Sequence, residues 1–410
     1  MQYSITKVDK TLKGEVQLPS SKSISNRVLI INSLGYSPYD IENLSDSDDT
    51  KVLEAVLNAN TNHFDVGHAG TAMRFLTAFL SKIAGEWTLT GSERMQQRPI
   101  GILVDALRKL GASIEYTQNE GYPPLRILGT SLKGGVVELD GSVSSQYISA
   151  LLMIAPTITG GMTLKLINQI TSRPYIDLTL KLMKKFGVHH TWKGNEIRID
   201  EQIYHPAKFS VEADWSGASY WYAMAALADE CDLLLKGLRL QSLQGDEIQS
   251  EWFETYFGVQ SKQIGNDVCL TKIKAPELKI LKLDFIENPD IAQTFAVLAV
   301  CKKIPFHFKG LATLKIKETD RIMALETELS KFGVTLTEPK NGELAWNGEI
   351  DSALTNRPGV IETYHDHRMA LAFAPAALVY PEIIINDPQV ITKSYPEYWN
   401  NLKEVGFRIE

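Results

Sequence analysis

A short pattern recurs five times along this chain at nearly constant spacing. In each copy an amphipathic segment ends in a hydrophobic residue and a glycine and then runs into a strand-like stretch, as in LVDALRKLGASIEY and LETELSKFGVTLT. The glycines of the five copies are Gly111, Gly187, Gly258, Gly333 and Gly406. Glycine in this setting is typical of the left-handed residue that ends a helix before a strand begins. The regular spacing therefore predicts a chain built from repeated helix–strand units.

A second element recurs in step with the first, a polar cluster that opens an apolar helix rich in small residues. Its six copies are SKSISNRVLIINSL, HAGTAMRFLTAFL, GSVSSQYISALLMIA, ADWSGASYWYAMAAL, ENPDIAQTFAVLAV and YHDHRMALAFAPAAL. Six units, each with one apolar helix, one amphipathic helix and strands between them, predict an α/β repeat architecture. An all-apolar helix must be buried, so we expect these helices inside each domain, with three units in a domain.

Composition limits the classes of function that fit this chain. With 410 residues, 44% of them hydrophobic and 22% charged, it has the make-up of an ordinary globular protein with more than one domain. The net charge of -7 argues against a nucleic-acid surface, which needs a basic face. The cysteines Cys231, Cys269 and Cys301 are far apart and form no CxxC pair, so we expect a reduced, cytoplasmic protein. The N-terminus lacks a signal-peptide pattern and no apolar run reaches about 18 residues, so neither export nor membrane insertion is predicted.

The polar starts of the apolar helices are candidates for an anion site. Ser, Asp and Asn at such positions usually only cap the helix. Several of these starts also carry Lys, Arg, Gln or His, which capping does not require. Because a helix N-terminus already carries free N–H groups and a partial positive charge, added cations favour anion binding. Several starts meeting in one cleft would hold a small, multiply charged anion.

The segment LKIKETDRIMALETEL combines cations with carboxylates. Lys317 and Arg321 are four positions apart at a predicted helix start, where two like charges need a negative group between them. Glu318 and Asp320 supply negative charge within the segment, so one interpretation is a charged turn exposed to solvent. Alternatively, Glu318 is an acid/base group held beside cations that bind a substrate.

Three further clusters carry groups capable of chemistry. Arg98 precedes Pro99, which suits a first helical position, so Arg98 is placed to bind a carboxylate or phosphate or to form a surface ion pair. Asp290 opens an apolar helix, either as a cap or as a carboxylate tuned to abstract a proton from a hydroxyl. His365 and His367 have no spacing typical of a metal site.

The chain also lacks GxxxxGK[ST], GxGxxG, HExxH and GxSxG motifs, so nucleotide-driven phosphoryl transfer, Rossmann redox chemistry, zinc proteolysis and α/β-hydrolase chemistry have no support.

Eight motifs taken together resemble one enzyme family, the 5-enolpyruvylshikimate-3-phosphate synthases. They are SKSISNR, AGTAMR, RPIGILVDALRKLGA, SSQYISALL, SRPYIDLT, KETDRI, DHRMALAFA and TKSYPEYW, in family order from about residue 10 to the C-terminus. The resemblance implies a two-domain inside-out barrel, in which each domain has three βαβαββ units around buried apolar helices. One domain would span residues 20–212, on the shikimate 3-phosphate side. The other would span residues 1–19 with 213–410, on the phosphoenolpyruvate and acid/base side, and the active site would lie in the cleft between them.

The resemblance also implies a reaction, the 3-phosphoshikimate 1-carboxyvinyltransferase step of aromatic amino-acid biosynthesis. The enolpyruvyl group of phosphoenolpyruvate passes to the 5-hydroxyl of shikimate 3-phosphate by addition and elimination through a tetrahedral intermediate. No metal and no organic cofactor is implied. The expected partners are the two small anionic substrates, with no nucleic acid and no membrane, and the expected state is a cytoplasmic monomer.

Matching motifs carry the family's residue roles onto this sequence. The implied catalytic residues are Asp290, which would accept the 5-hydroxyl proton, Glu318, which would handle protons at the enolpyruvyl carbon, and Lys22. The implied shikimate 3-phosphate ligands are Lys22, Ser23, Arg27, Ser144, Ser145, Gln146, Ser172, Tyr175, Asp290, Thr313 and Lys317. The implied phosphoenolpyruvate ligands are Lys22, Gly70, Arg98, Gln146, Arg321, Arg368 and Lys393.

At four positions this sequence departs from the family pattern. Ser21 replaces the usual Gly, His68 the usual Asn before AGT, Phe75 the usual Pro after AMR, and Thr313 a substrate-binding Asn. Phe75 is expected to affect the aim of the helix that begins near Gly70, while the space at Gly70 predicts that glyphosate competes with phosphoenolpyruvate.

Two alternative functions differ from this prediction. A related enolpyruvyl transferase that acts on UDP-N-acetylglucosamine typically carries a reactive loop cysteine and a different N-terminal motif. A non-catalytic phospho-ligand binding relative would be expected to lack Asp290 or Lys22, and both are present here.

Overall fold

A computed structural model of the chain describes residues 1–351 and 359–410. The strands are β1 (Gln2–Thr6), β2 (Thr11–Gln17), β3 (Ile41–Glu42), β4 (His63–Asp65), β5 (Gly85–Thr90), β6 (Ser113–Tyr116), β7 (Leu125–Gly129), β8 (Lys133–Asp140), β9 (Thr159–Ile167), β10 (Thr191–Lys193), β11 (Glu196–Ile199), β12 (Phe209–Ser210), β13 (Glu230–Lys236), β14 (Val259–Ile264), β15 (Asp267–Lys272), β16 (Leu281–Asp284), β17 (Phe306–Lys309), β18 (Leu344–Trp346), β19 (Ile383–Asn386) and β20 (Arg408–Ile409).

The helices alternate with these strands. The α-helices are α1 (Lys22–Leu34), α2 (Asp48–Leu57), α3 (Gly70–Leu80), α4 (Glu93–Gln96), α5 (Gly101–Lys109), α6 (Ser145–Ile154), α7 (Arg173–Lys185), α8 (Trp215–Leu227), α9 (Gln249–Phe257), α10 (Ala292–Cys301), α11 (Arg321–Ser330), α12 (His367–Phe373) and α13 (Tyr398–Glu404). Short 3₁₀ helices span Ala155–Thr157, Gly245–Ile248, Pro289–Ile291, Ala312–Ile316, Ala374–Leu378 and Pro388–Lys393. Within the described ranges, no helix has the length and apolar character needed to cross a lipid bilayer.

The chain divides into two compact units. One, which we call the split unit, combines Met1–Ser20 with Glu212–Glu410, and the other, the continuous unit, is Ser21–Val211. In the split unit, β2 pairs in parallel with β13 over its whole length. The entire continuous unit separates these two strands in the sequence. This pairing makes the N-terminal segment part of a sheet whose other strands come from the second half of the chain.

One sheet pattern recurs in both units. The strand orders β4-β5-β7-β6 and β8-β9-β11-β10 in the continuous unit and β2-β13-β15-β14 in the split unit all begin with a parallel pair and continue with two antiparallel pairs. The sheet β16-β17-β18 repeats the parallel and first antiparallel pairings. The remaining sheets are β19-β1-β20 and β3 with β12. The mixed α/β fold predicted from the sequence is confirmed.

Apolar helices lie at the centre of each unit. All residues of α10 are buried, and so are all residues of α3 except Phe79. In the continuous unit α3 packs on α1 and α6, and in the split unit α10 packs on α8 and α12. These six helices are the six predicted from the polar-to-apolar pattern. Burial of nearly continuous apolar surface explains why their sequences lack the polar face of an ordinary amphipathic helix.

The five repeated glycines have the predicted backbone conformation. Gly111, Gly187, Gly258, Gly333 and Gly406 all have positive φ, from 65° to 95°. Gly258 ends α9, and a Cβ atom there would lie 2.5 Å from the Ile273 carbonyl oxygen, so both conformation and space require glycine. Two predicted helix starts were wrong. α5 begins at Gly101 and not at Pro99, and α11 begins at Arg321, which leaves Lys317 outside the helix.

Candidate active site

The start of α1 carries the first cation of the continuous unit. Ser21 precedes the helix in an extended conformation, and its Oγ accepts the Ile24 N–H at 3.4 Å. Serine in place of the family's glycine thus supplies a helix cap. Lys22 follows as the first helical residue, and its Nζ lies 3.4 Å from the buried Asp49 carboxylate. The lysine head group is therefore paired with Asp49, a residue that sequence reasoning did not identify.

Arg27 lies one turn further along α1 and is buried. Its guanidinium donates to Thr179 Oγ1 at 2.7 Å, to the Ser23 carbonyl at 2.8 Å and to Ser149 Oγ at 3.1 Å, and the Phe75 ring centroid lies 5.4 Å from its Cζ. Burial lowers the pKa of Arg27 to about 10, which leaves it charged at neutral pH. Over residues 1–351 and 359–410, no carboxylate forms an ion pair with Arg27. A buried cation among neutral oxygens favours a ligand that brings its own negative charge.

The start of α6 places predicted substrate ligands against α3. Ser144 caps α6, its Oγ accepting the Gln146 N–H at 3.3 Å, and Ser145 is the first helical residue. The Gln146 side chain donates to Thr71 Oγ1 at 3.3 Å. Two helix starts are thereby joined by a side-chain amide, and the N-terminus of a helix is suited to a phosphate.

The start of α7 contributes two more predicted ligands. Ser172 is buried and has φ 54° and ψ 37°, a left-handed conformation that a non-glycine residue rarely adopts. Such conformations concentrate at functional sites, where the surrounding structure holds them. Tyr175 follows in the first turn, and its carbonyl accepts hydrogen bonds from Thr179 Oγ1 at 2.8 Å and from Arg27 at 3.5 Å.

Gly70 and Arg98 lie against each other in the continuous unit. Gly70 is the first residue of α3, and a Cβ atom at that position would lie 2.6 Å from Arg98 Nη1. Any larger residue would therefore displace the guanidinium. His68, just before this start, hydrogen-bonds through Nδ1 with Ser92 Oγ at 3.0 Å.

The split unit contains a dense group of ion pairs, which we call the ion-pair network. Its centre is the buried Arg321, which donates from Nε to Asp366 Oδ2 at 2.7 Å, from Nη1 to Asp290 Oδ1 at 3.2 Å and from Nη2 to Glu318 Oε2 at 2.9 Å. α11 begins at this residue because Asp320 caps it, accepting the N–H groups of Ile322 and Met323. One guanidinium thus orients three carboxylates, as its rigid fork of donors allows.

Asp290 is surrounded by cations. Besides Arg321, it pairs with Arg368 Nη2 at 3.1 Å and with Lys317 Nζ at 3.5 Å. Burial alone would raise the pKa of Asp290, but Lys317, Arg368 and Arg321 together hold this pKa well below its usual range. The carboxylate is therefore ionised at neutral pH.

Glu318 and Arg368 extend the network on two sides. Glu318 Oε1 accepts from Lys393 Nζ at 2.6 Å. Arg368 Nη1 donates to Tyr220 Oη at 3.3 Å, and burial raises the pKa of Tyr220 to about 12. Among the residues that the structure describes, the network alternates four cations with three carboxylates, so anions that bind to its cations would compete with its own carboxylates.

Thr313 differs from the other predicted ligands of the split unit. It lies in the 3₁₀ helix that precedes Lys317, and its Oγ1 is buried with no hydrogen-bond partner in the part of the chain that the structure describes.

The predicted site residues thus fall into two groups. The continuous unit carries Lys22, Ser23, Arg27, Gly70, Arg98, Ser144, Ser145, Gln146, Ser172 and Tyr175, and the split unit carries Asp290, Thr313, Lys317, Glu318, Arg321, Arg368 and Lys393. Sequence reasoning assigned no role to Asp366 or to Tyr220. The DHR motif was the available signal for Asp366, but nothing local marks Tyr220, which reaches the network from the buried helix α8.

Comparisons with known proteins identify the family. The family model described as EPSP synthase (3-phosphoshikimate 1-carboxyvinyltransferase) matches residues 6–61 and 53–402. A 3-phosphoshikimate 1-carboxyvinyltransferase of Bacteroides fragilis is 52% identical over 411 residues, covering 100% of this chain and 99% of that protein. The enzyme of the same name from Vibrio cholerae is 37% identical over 428 residues, covering 96% and 97%.

Solved structures agree at the level of the fold. The EPSP synthase of Acinetobacter baumannii superposes with a TM-score of 0.78 at 21% identity, covering 100% of this chain and 99% of that one. The enolpyruvyl transferase NikO of Streptomyces tendae gives 0.76 at 15% identity, covering 100% and 98%. Because the family model and the Bacteroides and Vibrio relatives all span nearly the whole length, this chain belongs to the EPSP synthase family.

Proposed function

We propose that this protein transfers the enolpyruvyl group of phosphoenolpyruvate to the 5-hydroxyl of shikimate 3-phosphate, releasing phosphate. The observation that carries the proposal is the ion-pair network, in which an ionised Asp290 lies within 3.1 to 3.5 Å of three cations. Family membership supplies the substrates, and the network supplies cations for anionic substrates together with carboxylates for proton transfer.

The substrates would divide among the residues predicted from the family motifs. Shikimate 3-phosphate would contact Lys22, Ser23, Arg27, Ser144, Ser145, Gln146, Ser172, Tyr175, Asp290, Thr313 and Lys317, and phosphoenolpyruvate would contact Lys22, Gly70, Arg98, Gln146, Arg321, Arg368 and Lys393. We further propose the family's two inside-out barrels, residues 20–212 and residues 1–19 with 213–410, with the site in a cleft between them. The two substrates carry two phosphates and two carboxylates, which explains the demand for so many cations.

Substrate binding would alter the basicity of Asp290. In the free protein its cations stabilise the carboxylate so strongly that it is a weak base. Phosphate and carboxylate groups arriving on Lys317, Arg321 and Arg368 would take up part of that positive charge. The pKa of Asp290 would then rise toward the range of a useful general base, so that proton abstraction from the 5-hydroxyl follows occupation of the site.

The remaining steps are an addition and an elimination at C2, each accompanied by a proton transfer at C3. As the 5-hydroxyl oxygen adds to C2 of phosphoenolpyruvate, C3 gains a proton and a tetrahedral intermediate forms. Phosphate then leaves C2 and the methyl group loses a proton, which restores the double bond. Glu318 and Lys22 are our proposed groups for these transfers at C3. This sequence of steps calls for neither a metal nor an organic cofactor.

Phosphate release tests the proposed reaction directly. With phosphoenolpyruvate and shikimate 3-phosphate together we expect steady phosphate release, with either substrate alone none, and with UDP-N-acetylglucosamine in place of shikimate 3-phosphate none. Release with UDP-N-acetylglucosamine would favour the related transferase. Binding of both substrates without release would favour a non-catalytic protein.

Replacement of Arg27 by Ala is expected to weaken shikimate 3-phosphate binding more than it lowers turnover. The guanidinium is a buried cation without a carboxylate partner in the described ranges, so a substrate carboxylate would gain a strong charge-assisted bond. We expect the KM for shikimate 3-phosphate to rise by about 100-fold or more, in line with roughly 3 kcal/mol for such a bond. Titration of the variant with shikimate 3-phosphate checks this. An unchanged affinity would contradict the assignment.

Glyphosate is expected to inhibit competitively with phosphoenolpyruvate. Gly70 has no side chain, so the Arg98 guanidinium reaches the start of α3, and the Phe75 ring lies over Arg27, away from position 70 in the sequence. Initial rates at several concentrations of both compounds check the pattern. Failure to compete at millimolar glyphosate would refute the expected competition.

The monomeric state and the cytoplasmic location stay predictions. Light scattering would test the monomeric state.

A further inference from the structure

Another buried carboxylate, Glu328, lies on the same helix as Arg321 but outside the ion-pair network. Glu328 is fully buried near the end of α11. Its Oε1 accepts a hydrogen bond from Tyr364 Oη at 2.7 Å, and its Oε2 accepts from the Glu362 N–H at 3.0 Å and from Lys331 Nζ at 2.6 Å. Three donors satisfy the charge of a carboxylate that burial would otherwise destabilise. Two of the three belong to one short segment, residues 359–366.

The 359–366 segment carries a rarely populated backbone conformation. It starts from a parallel bridge between Ile361 and Ile385 of β19. Tyr364 and His365 then have φ of 53° and 54°, so two consecutive non-glycine residues are left-handed. Such residues persist only where the surrounding structure holds them. The segment ends at Asp366, which caps α12 by accepting the Arg368 N–H at 2.9 Å.

α11 holds this segment at two points. Arg321, at the start of the helix, binds the Asp366 side chain at 2.7 Å. Glu328, about two turns further on, binds Glu362 and Tyr364. The left-handed turn therefore lies between two anchors on one rigid helix. Since Arg368 follows the turn closely in the sequence, the geometry of the turn sets where its guanidinium meets Asp290.

We propose that Glu328 is a positioning residue, which holds the 359–366 segment through Glu362 and Tyr364 and thereby orients Arg368 in the ion-pair network. The inference rests on the proposed function, because Arg368 is there assigned to phosphoenolpyruvate. A purely stabilising role would need only the pair with Lys331, and a buried ion pair by itself contributes little net stability. The bonds to the segment connect Glu328 to the site.

Tyr364→Phe is the sharpest test, because it removes one hydroxyl and leaves Glu328 paired with Lys331. The KM for phosphoenolpyruvate should rise by about tenfold, less than the roughly 100-fold cost of a misplacement of about 1 Å. The KM for shikimate 3-phosphate should change by less than about twofold, and kcat should change less than the KM for phosphoenolpyruvate. Glu328→Gln, which cannot reproduce all three bonds, should give the same split with a larger effect.

Tyr222→Phe is the matched control. It also removes a tyrosine hydroxyl of the split unit that makes a 2.7 Å hydrogen bond, here with Ser261. Its thermal unfolding should shift by a similar amount, with both KM values unchanged. If Tyr364→Phe lowers thermal stability like the control and leaves the KM for phosphoenolpyruvate unchanged, Glu328 and Tyr364 are merely structural and the proposal is overturned.

An Arg368→Lys background separates this inference from the proposed function. If Tyr364 acts through Arg368, Tyr364→Phe should raise the KM for phosphoenolpyruvate much less in that background than in the wild type. An equal rise in both backgrounds would overturn the positioning role. If Arg368→Lys itself leaves that KM unchanged, the assignment of Arg368 to phosphoenolpyruvate fails, and the positioning role fails with it.

Discussion

Replacement of Asp290 by Ala is expected to lower kcat by about 10³-fold or more while shikimate 3-phosphate binding stays within about tenfold. The proposed base is the only carboxylate of the network that pairs with Lys317, Arg321 and Arg368 together, within residues 1–351 and 359–410. Its loss removes the proton acceptor from the 5-hydroxyl. The cations that bind the substrates are retained and lose a competing carboxylate, so binding should be largely preserved.

Two companions make the Asp290 experiment specific. Asp290→Asn keeps the shape of the side chain and should be nearly as inactive, because an amide accepts no proton at neutral pH. Glu287→Ala removes an exposed carboxylate from the turn just before Asp290 and should retain normal kinetics. Stopped-flow measurement of turnover and calorimetric titration with shikimate 3-phosphate provide the two readouts. Equal losses of turnover and binding in Asp290→Ala would contradict the assignment of this residue as the base.

Replacement of Arg321 by Met is expected to impair both folding stability and catalysis. The guanidinium is buried and binds three carboxylates, of which Asp366 is fully buried. Methionine retains much of the volume but leaves those carboxylates facing one another without their shared cation. Breaking a buried pair by removing one partner costs about 3–5 kcal/mol. The free energy of unfolding, measured in urea, should fall by about that amount, and turnover should be lost.

A surface ion pair of the same unit is the control for Arg321. Lys13 and Glu230 are 2.7 Å apart across two strands and both are exposed, so Lys13→Met should leave the urea midpoint unchanged. The pH dependence of the free energy of unfolding gives an independent check on the charge pairing around Arg321. Because the folded-state pKa of Asp290 lies below its unfolded value, its stabilising effect is present above about pH 4 and is lost as pH falls further. An Arg321→Met protein as stable as the wild type at pH 7 would contradict the central role of this residue.

Local sequence pattern was sufficient to predict the helices that carry the candidate site residues. The six apolar helices and the five left-handed glycines were predicted because periodicity, helix capping and glycine conformation depend on residues close together in the sequence. The errors were in the first residues of two helices. The structure begins these helices at Arg321 and Gly101, whereas the sequence predicted that each begins a few residues nearer the N-terminus. Ser21 could be named as unusual, but its function as a helix cap required the backbone geometry.

Pairing of charges could not be predicted in the same way. Glu318 and Arg321 are neighbours in the sequence, yet Asp290, Asp366 and Lys393 reach them from three other, distant segments of the chain. Glu328 resembled any helical glutamate, and nothing in LETELSKFG distinguishes it from the half-buried Glu326 two positions before it. Its importance depends on Tyr364 and Glu362, which only the folded chain brings to it.

The sequence by itself therefore determined the repeat, the buried helices, the family and the set of residues proposed to bind substrate, because each of these is recorded in local pattern or in motifs. Only the tertiary structure decided that Arg321 joins three carboxylates, that Arg27 is buried without one in the described ranges, and that Glu328 holds the turn before Arg368. The physical reason is that burial and charge pairing are properties of side chains brought together across long stretches of chain. The same carboxylate is a solvated surface group or a strongly perturbed base depending on which cations the fold places beside it.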